Sequence, residues 1–212
     1  MKFMLFVEGY TEKKALPEFL KRWLDPRLKQ PVGIKIVRFD GWRDYYKSTP
    51  WRAKLHLNGP DRDDIVAVIG LLDLYGPTFY PENVTTVRDR YLWAKNEIES
   101  KVAHPKFRQY FAVHECEAWL LSNPGGLPPE VTRSLPRKQP ETINFHEPPK
   151  KLLQKLYREK LRDNYKEVTH GAELFAELDP NVAHGKCPRL GVMLDEMLSL
   201  AQASGLGLPS RT

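Results

Sequence analysis

Cysteine is scarce in this sequence of 212 residues, which has only Cys116 and Cys187. Two cysteines so far apart form no disulfide framework and provide no paired C-x-x-C spacing for zinc. The histidines are also scattered without ligand spacing. These absences exclude the disulfide-rich secreted domains and the common zinc folds, and a reducing cytoplasm is the expected location.

Long apolar runs are also missing. The longest, such as Ile65–Leu72, fall far short of the roughly 20 residues that a membrane-spanning helix needs, so we expect no membrane span. The apolar segment from Phe3 to Val7 meets Glu8 before any small-residue cleavage site and predicts a first strand, not a signal peptide. A G-x-x-x-x-G-K-[S/T] phosphate loop is absent, so any ATPase activity must come from a partner.

The composition is that of a globular protein with an excess of positive charge. Hydrophobic residues make up 41% and charged residues 28%, which excludes wholesale disorder and a fibrous class. The formal net charge is +6 and the pI about 9.2. This excess favours a polyanionic partner such as nucleic acid, although solvated surface lysines explain it equally well.

Alternating strand and helix patterns predict an α/β fold with a mostly parallel sheet flanked by helices. The patterns typical of strands cover Lys2–Val7, Gly33–Phe39, Asp64–Asp73 and Phe107–Val113. Helical patterns follow Thr11, the predicted N-cap of the first helix, and cover Val87–Val102, Lys150–Leu161 and Pro188–Ala201. The run to Asp73 is continuously apolar, which is typical of a central strand buried on both faces.

Prolines divide the chain. Seven of them lie between residues 123 and 149, where they exclude a continuous helix or a central strand. We therefore predict an α/β core over residues 1–122 and a proline-rich insertion over residues 123–149. A basic helical part over residues 150–212 is expected to complete the same domain.

Acidic residues follow three of the predicted strands. Glu8 follows the first strand, Asp73 ends the central one, and Glu115 and Glu117 come after Phe107–Val113. Singly, each acid is as well explained as a surface residue or a helix cap. Jointly they are expected at the carboxyl edge of the sheet, where carboxylates repel each other unless a cation neutralises them. Oxygen ligands suit Mg²⁺ or Mn²⁺, and such an ion supports phosphodiester hydrolysis.

Four strings of the sequence resemble a known family. They are Phe6–Glu12, Gly70–Gly76, His114–Leu121 and Cys187–Pro188. The first resembles the opening motif of Toprim domains, in which a strand ends in Glu-Gly and a helix follows. Together the strings resemble the DUF4276 family, which is similar to the Toprim nucleases of overcoming-lysogenization-defect proteins. The resemblance implies a Toprim-like fold, a Mg²⁺- or Mn²⁺-dependent nuclease, and a partner ATPase encoded nearby in bacterial anti-phage defence.

The same resemblance assigns roles to individual acids. Glu8 corresponds to the Toprim glutamate, a metal ligand or general acid/base, and Asp73 to the first acid of an Asp-x-Asp motif. Tyr75 stands where the second aspartate is expected, so the usual two-metal site lacks a ligand. Glu117 resembles the downstream acid that serves a second metal, and Glu115 is the candidate to replace the missing aspartate. Alternatively, these two glutamates merely flank a buried cysteine at a strand-helix junction.

Basic residues near the metal are expected to offset charge in the transition state. By resemblance to a later family string, Lys166 is the first candidate for this catalytic role and Lys150 the second, and solvated helix lysines are the alternative for both. The predicted helix from Lys150 is dense in positive charge. Its candidate contacts to a phosphate backbone are Lys150, Lys151, Lys155 and Arg158.

Aromatic and basic residues alternate after the second strand. Trp42, Tyr45 and Tyr46 lie among Arg43 and Lys47, a mixture that suits stacking on unpaired bases or, alternatively, packing in the core.

The sequence is therefore compatible with three functions. The first is a metal-dependent nuclease, the second a non-catalytic nucleic-acid-binding or sensor module, and the third a regulatory subunit of the ATPase. A homo-oligomer is compatible with each.

Overall fold

The computed structural model describes residues 1–143 and 147–207. The remaining parts of the predicted insertion and of the predicted carboxyl-terminal part, residues 144–146 and 208–212, lie outside the described residues. The strands are β1 (Lys2–Val7), β2 (Gly33–Arg38), β3 (Ile65–Asp73) and β4 (Phe107–Ala112). The helices are α1 (Tyr10–Leu24), α2 (Gly41–Leu57), α3 (Val87–Val102), α4 (Glu117–Leu120), α5 (Pro129–Thr132), α6 (Pro149–Leu156), α7 (Ala172–Glu177), α8 (Pro180–Lys186) and α9 (Pro188–Ala201).

The four strands form one parallel sheet in the order β2-β1-β3-β4. The predicted α/β fold with a parallel sheet flanked by helices is confirmed. The strand boundaries lie within one residue of the sequence patterns, because each strand alternates or runs apolar over its whole length.

Both faces of the sheet are buried. In β1, Phe3, Leu5 and Val7 join one apolar cluster, while Met4 and Phe6 join the other. The first cluster packs against α1 and the carboxyl-terminal helices, and the second against α2 and α3. Burial on both faces explains why β3 is apolar from Ile65 to Leu72.

The strand order creates a switch point between β1 and β3. The chain leaves β1 towards β2 on one side, then crosses to β3 on the other side of β1. Connections that diverge in this way leave a crevice at the carboxyl ends of the two strands. Glu8 and Asp73 lie at this crevice.

The prediction of the N-cap of α1 was wrong. Gly9, not Thr11, is the N-cap of α1, and Thr11 is buried in the first turn. The reason is that Glu12, three residues after Gly9, supplies the acid of a capping arrangement. The helix that begins at Pro149 ends at Leu156 and continues as a wider π-helical turn. None of the helices in residues 1–143 and 147–207 has the length and apolar character needed to cross a membrane.

Candidate metal centre

Glu12, Asp73 and Cys116 meet at the carboxyl ends of β1 and β3. Each offers one ligand atom, and these atoms lie within 4.8 Å of one another, the one such group of three in the described parts of the chain. The backbone N–H of Cys116 donates to Asp73 Oδ1 at 3.2 Å, which ties the segment after β4 to the end of β3. We call these three residues and the acids around them the acidic pocket.

The position of Glu12 follows from the local sequence. Gly9 is extended, with φ −108° and ψ 174°, and α1 starts at the next residue. Glu12 therefore sits at the third helical position, from which its carboxylate turns back to the N–H groups of the first turn. The N–H groups of Glu12 itself and of Gly9 lower the pKa of this carboxyl, but burial raises it more. Oε2 of Glu12 is buried without a hydrogen-bond partner in the described structure.

The four acids predicted from the sequence surround or join this group. Glu8 is half-buried, which raises the pKa of its carboxyl, and the backbone N–H of Trp42 partly offsets this rise. Glu115 Oε2 accepts a hydrogen bond from the backbone N–H of Lys150 at 2.9 Å. Glu117 is buried, and its Oε1 has no hydrogen-bond partner among the described residues. Of the four, only Asp73 belongs to the group of three ligand atoms.

Burial and mutual repulsion raise the pKa values of the carboxyl groups in the acidic pocket. Burial raises the pKa of Asp73 well above its usual value, and the charges of Glu12 and Glu117 raise it further. The pKa of Glu8 is raised by burial and then by Glu12. Burial raises the pKa of Glu117 to about 8. Such carboxyls become fully charged when a cation compensates them.

The Cys116 thiol suits Mg²⁺ and Mn²⁺ less well than the carboxylates do. Burial raises its pKa well above the usual value, and the carboxylate of Asp73 adds to the shift. A protonated thiol is a weak ligand, because metals bind the thiolate. The acidic pocket therefore offers oxygen ligands, which Mg²⁺ and Mn²⁺ prefer.

Among the residues that the structure describes, Lys150 places its ammonium group among the acids. Its Nζ is 3.1 Å from Glu167 Oε2. Burial alone lowers the pKa of Lys150, but the carboxylates of Glu117 and Asp73 outweigh burial and raise it, so the group stays charged. Lys166 is exposed, and its backbone N–H donates to His170 Nδ1 at 3.0 Å. The structure thus brings Lys150, and not Lys166, into the acidic pocket.

The other basic candidates lie at the surface. Lys151 Nζ donates to the hydroxyl of Tyr75 at 3.3 Å, so the residue in place of the second aspartate contacts α6. Lys155 pairs with Glu147 at 3.3 Å, and Arg158 is exposed. Lys151, Lys155 and Arg158 are thus accessible to a phosphate backbone, whereas Lys150 is turned inwards.

Two further polar residues of the pocket were missed by the sequence analysis. Glu12 was named only as the last residue of the Toprim-like string, although an acid three residues after an N-cap is a known capping signal. Glu167 follows Lys166 in a polar stretch, and no local pattern distinguishes it. Its Oε1 accepts a hydrogen bond from Thr11 at 3.4 Å, a contact across 156 positions of sequence.

Comparisons with known proteins agree with the sequence resemblance. A family model described as "Domain of unknown function (DUF4276)" matches residues 7–198, which confirms that resemblance. The C-terminal region of the Burkholderia pseudomallei OLD protein is similar at 16% identity and a TM-score of 0.48, over 95% of this chain and 98% of that one. The C-terminal region of the Xanthomonas campestris pv. campestris OLD protein is similar at 19% identity and a TM-score of 0.43, over 96% of each chain. No curated protein matches the sequence.

Proposed function

This chain belongs to the DUF4276 family, and we propose that it is a Toprim-type nuclease that hydrolyses phosphodiester bonds with Mg²⁺ or Mn²⁺. The observation that carries the proposal is the approach of Glu12, Asp73 and Cys116 ligand atoms to within 4.8 Å at the switch point of a parallel sheet. Ligands of such sheets bind at this edge. The Toprim-like motif that contains Glu8 supports the same conclusion.

The residues fit a divalent ion. Glu12 and Asp73 would hold it, because Glu12 Oε2 is buried without a partner in the described structure, and a cation would offset the burial and repulsion that raise the pKa of both carboxyls. Glu115 and Glu117 are the remaining carboxyls for a second ion, since Tyr75 provides none. When bound, a divalent ion supplies Lewis-acid stabilisation of the negative charge on the scissile phosphate.

The protein groups around the phosphate would share the remaining work. Glu8 would accept the proton of the attacking water, because its raised pKa brings it closer to the pH at which a general base operates best. Lys150 would offset the negative charge that develops in the transition state, since it stays charged inside the acidic pocket. The exposed Lys151, Lys155 and Arg158 would position the phosphate backbone without reading its sequence.

A partner ATPase completes the proposal. The sequence has no phosphate loop of its own, and its motifs resemble those of a family whose members are often encoded beside an ATPase in anti-phage loci. We infer that the chain works in the cytoplasm with such a partner. Co-purification of the chain with the product of the adjacent gene tests this part.

The nuclease itself is tested by cleavage of plasmid DNA and of RNA in Mg²⁺, in Mn²⁺ and in EDTA. We expect cleavage with either metal, and a loss of at least about a hundredfold in Asp73→Asn, Glu12→Gln and Glu8→Gln. The matched control is Glu18→Gln, an exposed glutamate on α1, which should cut like the wild type. Unchanged cleavage by Asp73→Asn would contradict the proposal.

Tyr75 favours a second candidate, a non-catalytic nucleic-acid-binding or regulatory subunit. A tyrosine in place of the second aspartate removes one carboxylate from the pocket. Calorimetric titration with Mg²⁺ and Mn²⁺ separates the two candidates. Nucleic-acid binding without a metal site would select the non-catalytic one.

A further inference from the structure

A partly exposed group of aromatic side chains lies beside the acidic pocket, on the α2 and α3 side of the sheet. We call it the aromatic surface, and its members are Trp42, Tyr46, Phe79, Tyr80 and Trp93. Phe79 lies at its centre. Its ring stacks on Tyr46 with centroids 4.7 Å apart and planes at 9°, and it contacts Tyr80 at 4.8 Å. The rings form one continuous layer.

This layer is attached to the ends of the two strands that carry the site. Trp42 follows Gly41, which lies close to Glu8 after β1, since an ideal Cβ on Gly41 would be 3.9 Å from Glu8 Oε1. The hydroxyl of Tyr80 donates to the carbonyl oxygen of Leu74, the residue after Asp73, at 3.0 Å. The aromatic surface is therefore adjacent to the acidic pocket.

Cations accompany the rings. Arg43 lies 4.6 Å from the ring centroid of Trp42, Arg90 lies 5.0 Å from that of Tyr80, and Lys101 lies 3.8 Å from that of Tyr46. Positive charge beside exposed rings is the combination that binds a phosphate backbone and its bases together. The five rings differ from the core aromatic of the same helix, Tyr45, which is fully buried, in that they are partly exposed.

A further aromatic residue, Tyr10, lies close to Glu8 in the sequence. Tyr10 is 59% exposed, and the guanidinium of Arg38 lies 4.3 Å from its ring centroid. It is two residues from Glu8, at the start of α1. The exposed ring of Tyr10 leaves apolar surface in contact with water, which is unfavourable. The ring is therefore available to stack on a base.

We propose that Tyr10 and the aromatic surface bind unpaired nucleotides and lead a single strand of DNA or RNA into the acidic pocket. This inference deepens the proposed function, because it names the form of nucleic acid that reaches the site. A duplex keeps its base faces within its own stack, so only a single strand, a loop or a frayed end offers a base to these rings.

The test is fluorescence anisotropy in EDTA, where no cleavage occurs. The probes are labelled oligo(dT) and oligo(rU) of roughly 20 nucleotides and a blunt duplex of the same length. We expect tighter binding of a single strand than of the duplex, and roughly tenfold weaker binding of it by Tyr10→Ala and by Trp42→Ala. Tyr10→Phe and Trp42→Phe keep a ring and should stay within about threefold of the wild type. The better of the two oligonucleotides identifies DNA or RNA as the strand.

Trp51→Ala is the matched control. Trp51 is also on α2 and is 56% exposed, but it follows Trp42 by nine residues and so points to the opposite side of the helix. It should bind like the wild type. Since Trp42→Ala removes a ring that packs on the core, thermal denaturation checks its folding, and Tyr10→Ala carries the test if Trp42→Ala unfolds.

Equal affinity for duplex and single strand, or wild-type binding by Tyr10→Ala, would overturn the inference. Because the measurement needs no cleavage, its failure is distinct from that of the nuclease. A protein that binds single strands through Tyr10 but never cuts them would reject the nuclease and support the inference.

Discussion

Gly9 and Glu12 fit so closely that an ideal Cβ on Gly9 would overlap Glu12 Oε2 and lie 3.2 Å from Glu12 Cδ. The extended backbone of Gly9 accepts any residue, so the restriction comes from the carboxylate alone. The absence of a Cβ on Gly9 therefore leaves room for the carboxylate of a candidate metal ligand.

Gly9→Ala should keep the fold but displace the Glu12 carboxylate. We expect the free energy of unfolding to change by no more than about 1 kcal/mol. The affinity for Mn²⁺, measured by calorimetry, should fall by at least about tenfold. Gly185→Ala is the control, since a Cβ there meets no atom within 4 Å. Equal Mn²⁺ affinity in the two variants would show that Glu12 does not hold the ion.

Lys150→Met should separate metal binding from catalysis. Removal of the ammonium group leaves the pocket more negative, so the affinity for Mn²⁺ should stay equal or rise. The rate of cleavage under single-turnover conditions should fall by about a hundredfold, because the developing charge loses its cation. Lys166→Met, at the exposed lysine first favoured from the sequence, should cleave within about twofold of the wild type. A larger loss of cleavage rate in Lys166→Met than in Lys150→Met would instead assign the catalytic role to Lys166.

The stability of the metal-free protein should depend on Glu117 as the pH rises. Its pKa is raised from 4.5 to about 8, so the folded protein holds a proton that the unfolded chain has already released. The stabilisation is complete below about pH 4.5 and is lost as the pH rises through about 8. One pKa unit is worth about 1.4 kcal/mol, so Tm should fall by several degrees over this range.

Glu117→Gln should make the decline of Tm with pH shallower. Histidines whose pKa is lowered, such as His114, act in the opposite direction, and the difference between wild type and variant isolates Glu117. Differential scanning fluorimetry in EDTA at several pH values measures it. Mn²⁺ should raise Tm more at about pH 8 than at about pH 5.5, because ligands must be ionised. Parallel curves for the two proteins would contradict the assignment of the shift to Glu117.

Gly70→Ala should destabilise the sheet. A Cβ on Gly70 would overlap both the Tyr45 hydroxyl and Gln109 Oε1, which share a buried hydrogen bond of 2.7 Å. Overpacking of this kind costs about 1–3 kcal/mol, measurable by urea denaturation. The double variant with Tyr45→Phe should lose less free energy of unfolding than the two single variants lose in sum, because the Tyr45 hydroxyl no longer overlaps the added Cβ. Strict additivity would show that the hydroxyl is not the obstacle.

The sequence predicted the strands well and the site in part. Hydrophobic alternation and buried runs are local signals, so β1 and β3 could be placed, and with them Glu8 and Asp73 at their ends. Glu12 was passed over, although its distance of three residues from Gly9 is visible in the sequence. The capping signal predicts that the carboxylate turns back, but only the docking of α1 on the sheet brings it to Asp73.

The basic residues show the limit of local patterns. No local pattern distinguishes Lys150 from Lys151 and Lys166 as the lysine that lies among the acids. Lys150 lies among carboxylates because α6 packs near α4, which brings its backbone to Glu115 across 35 positions. Electrostatic partners at such separations leave no periodic trace in a single sequence.

The amino-acid sequence by itself determined the alternation of strands and helices, the parallel sheet and the acids at the ends of its strands, because apolar periodicity acts over short stretches of chain. The tertiary structure alone decided which side chains meet. It brought Glu12 to Asp73 and the aromatic surface to Glu8. It also placed Lys150 among the carboxylates and left Lys166 exposed. Those contacts depend on how whole elements pack against one another, and packing is a property of the folded chain.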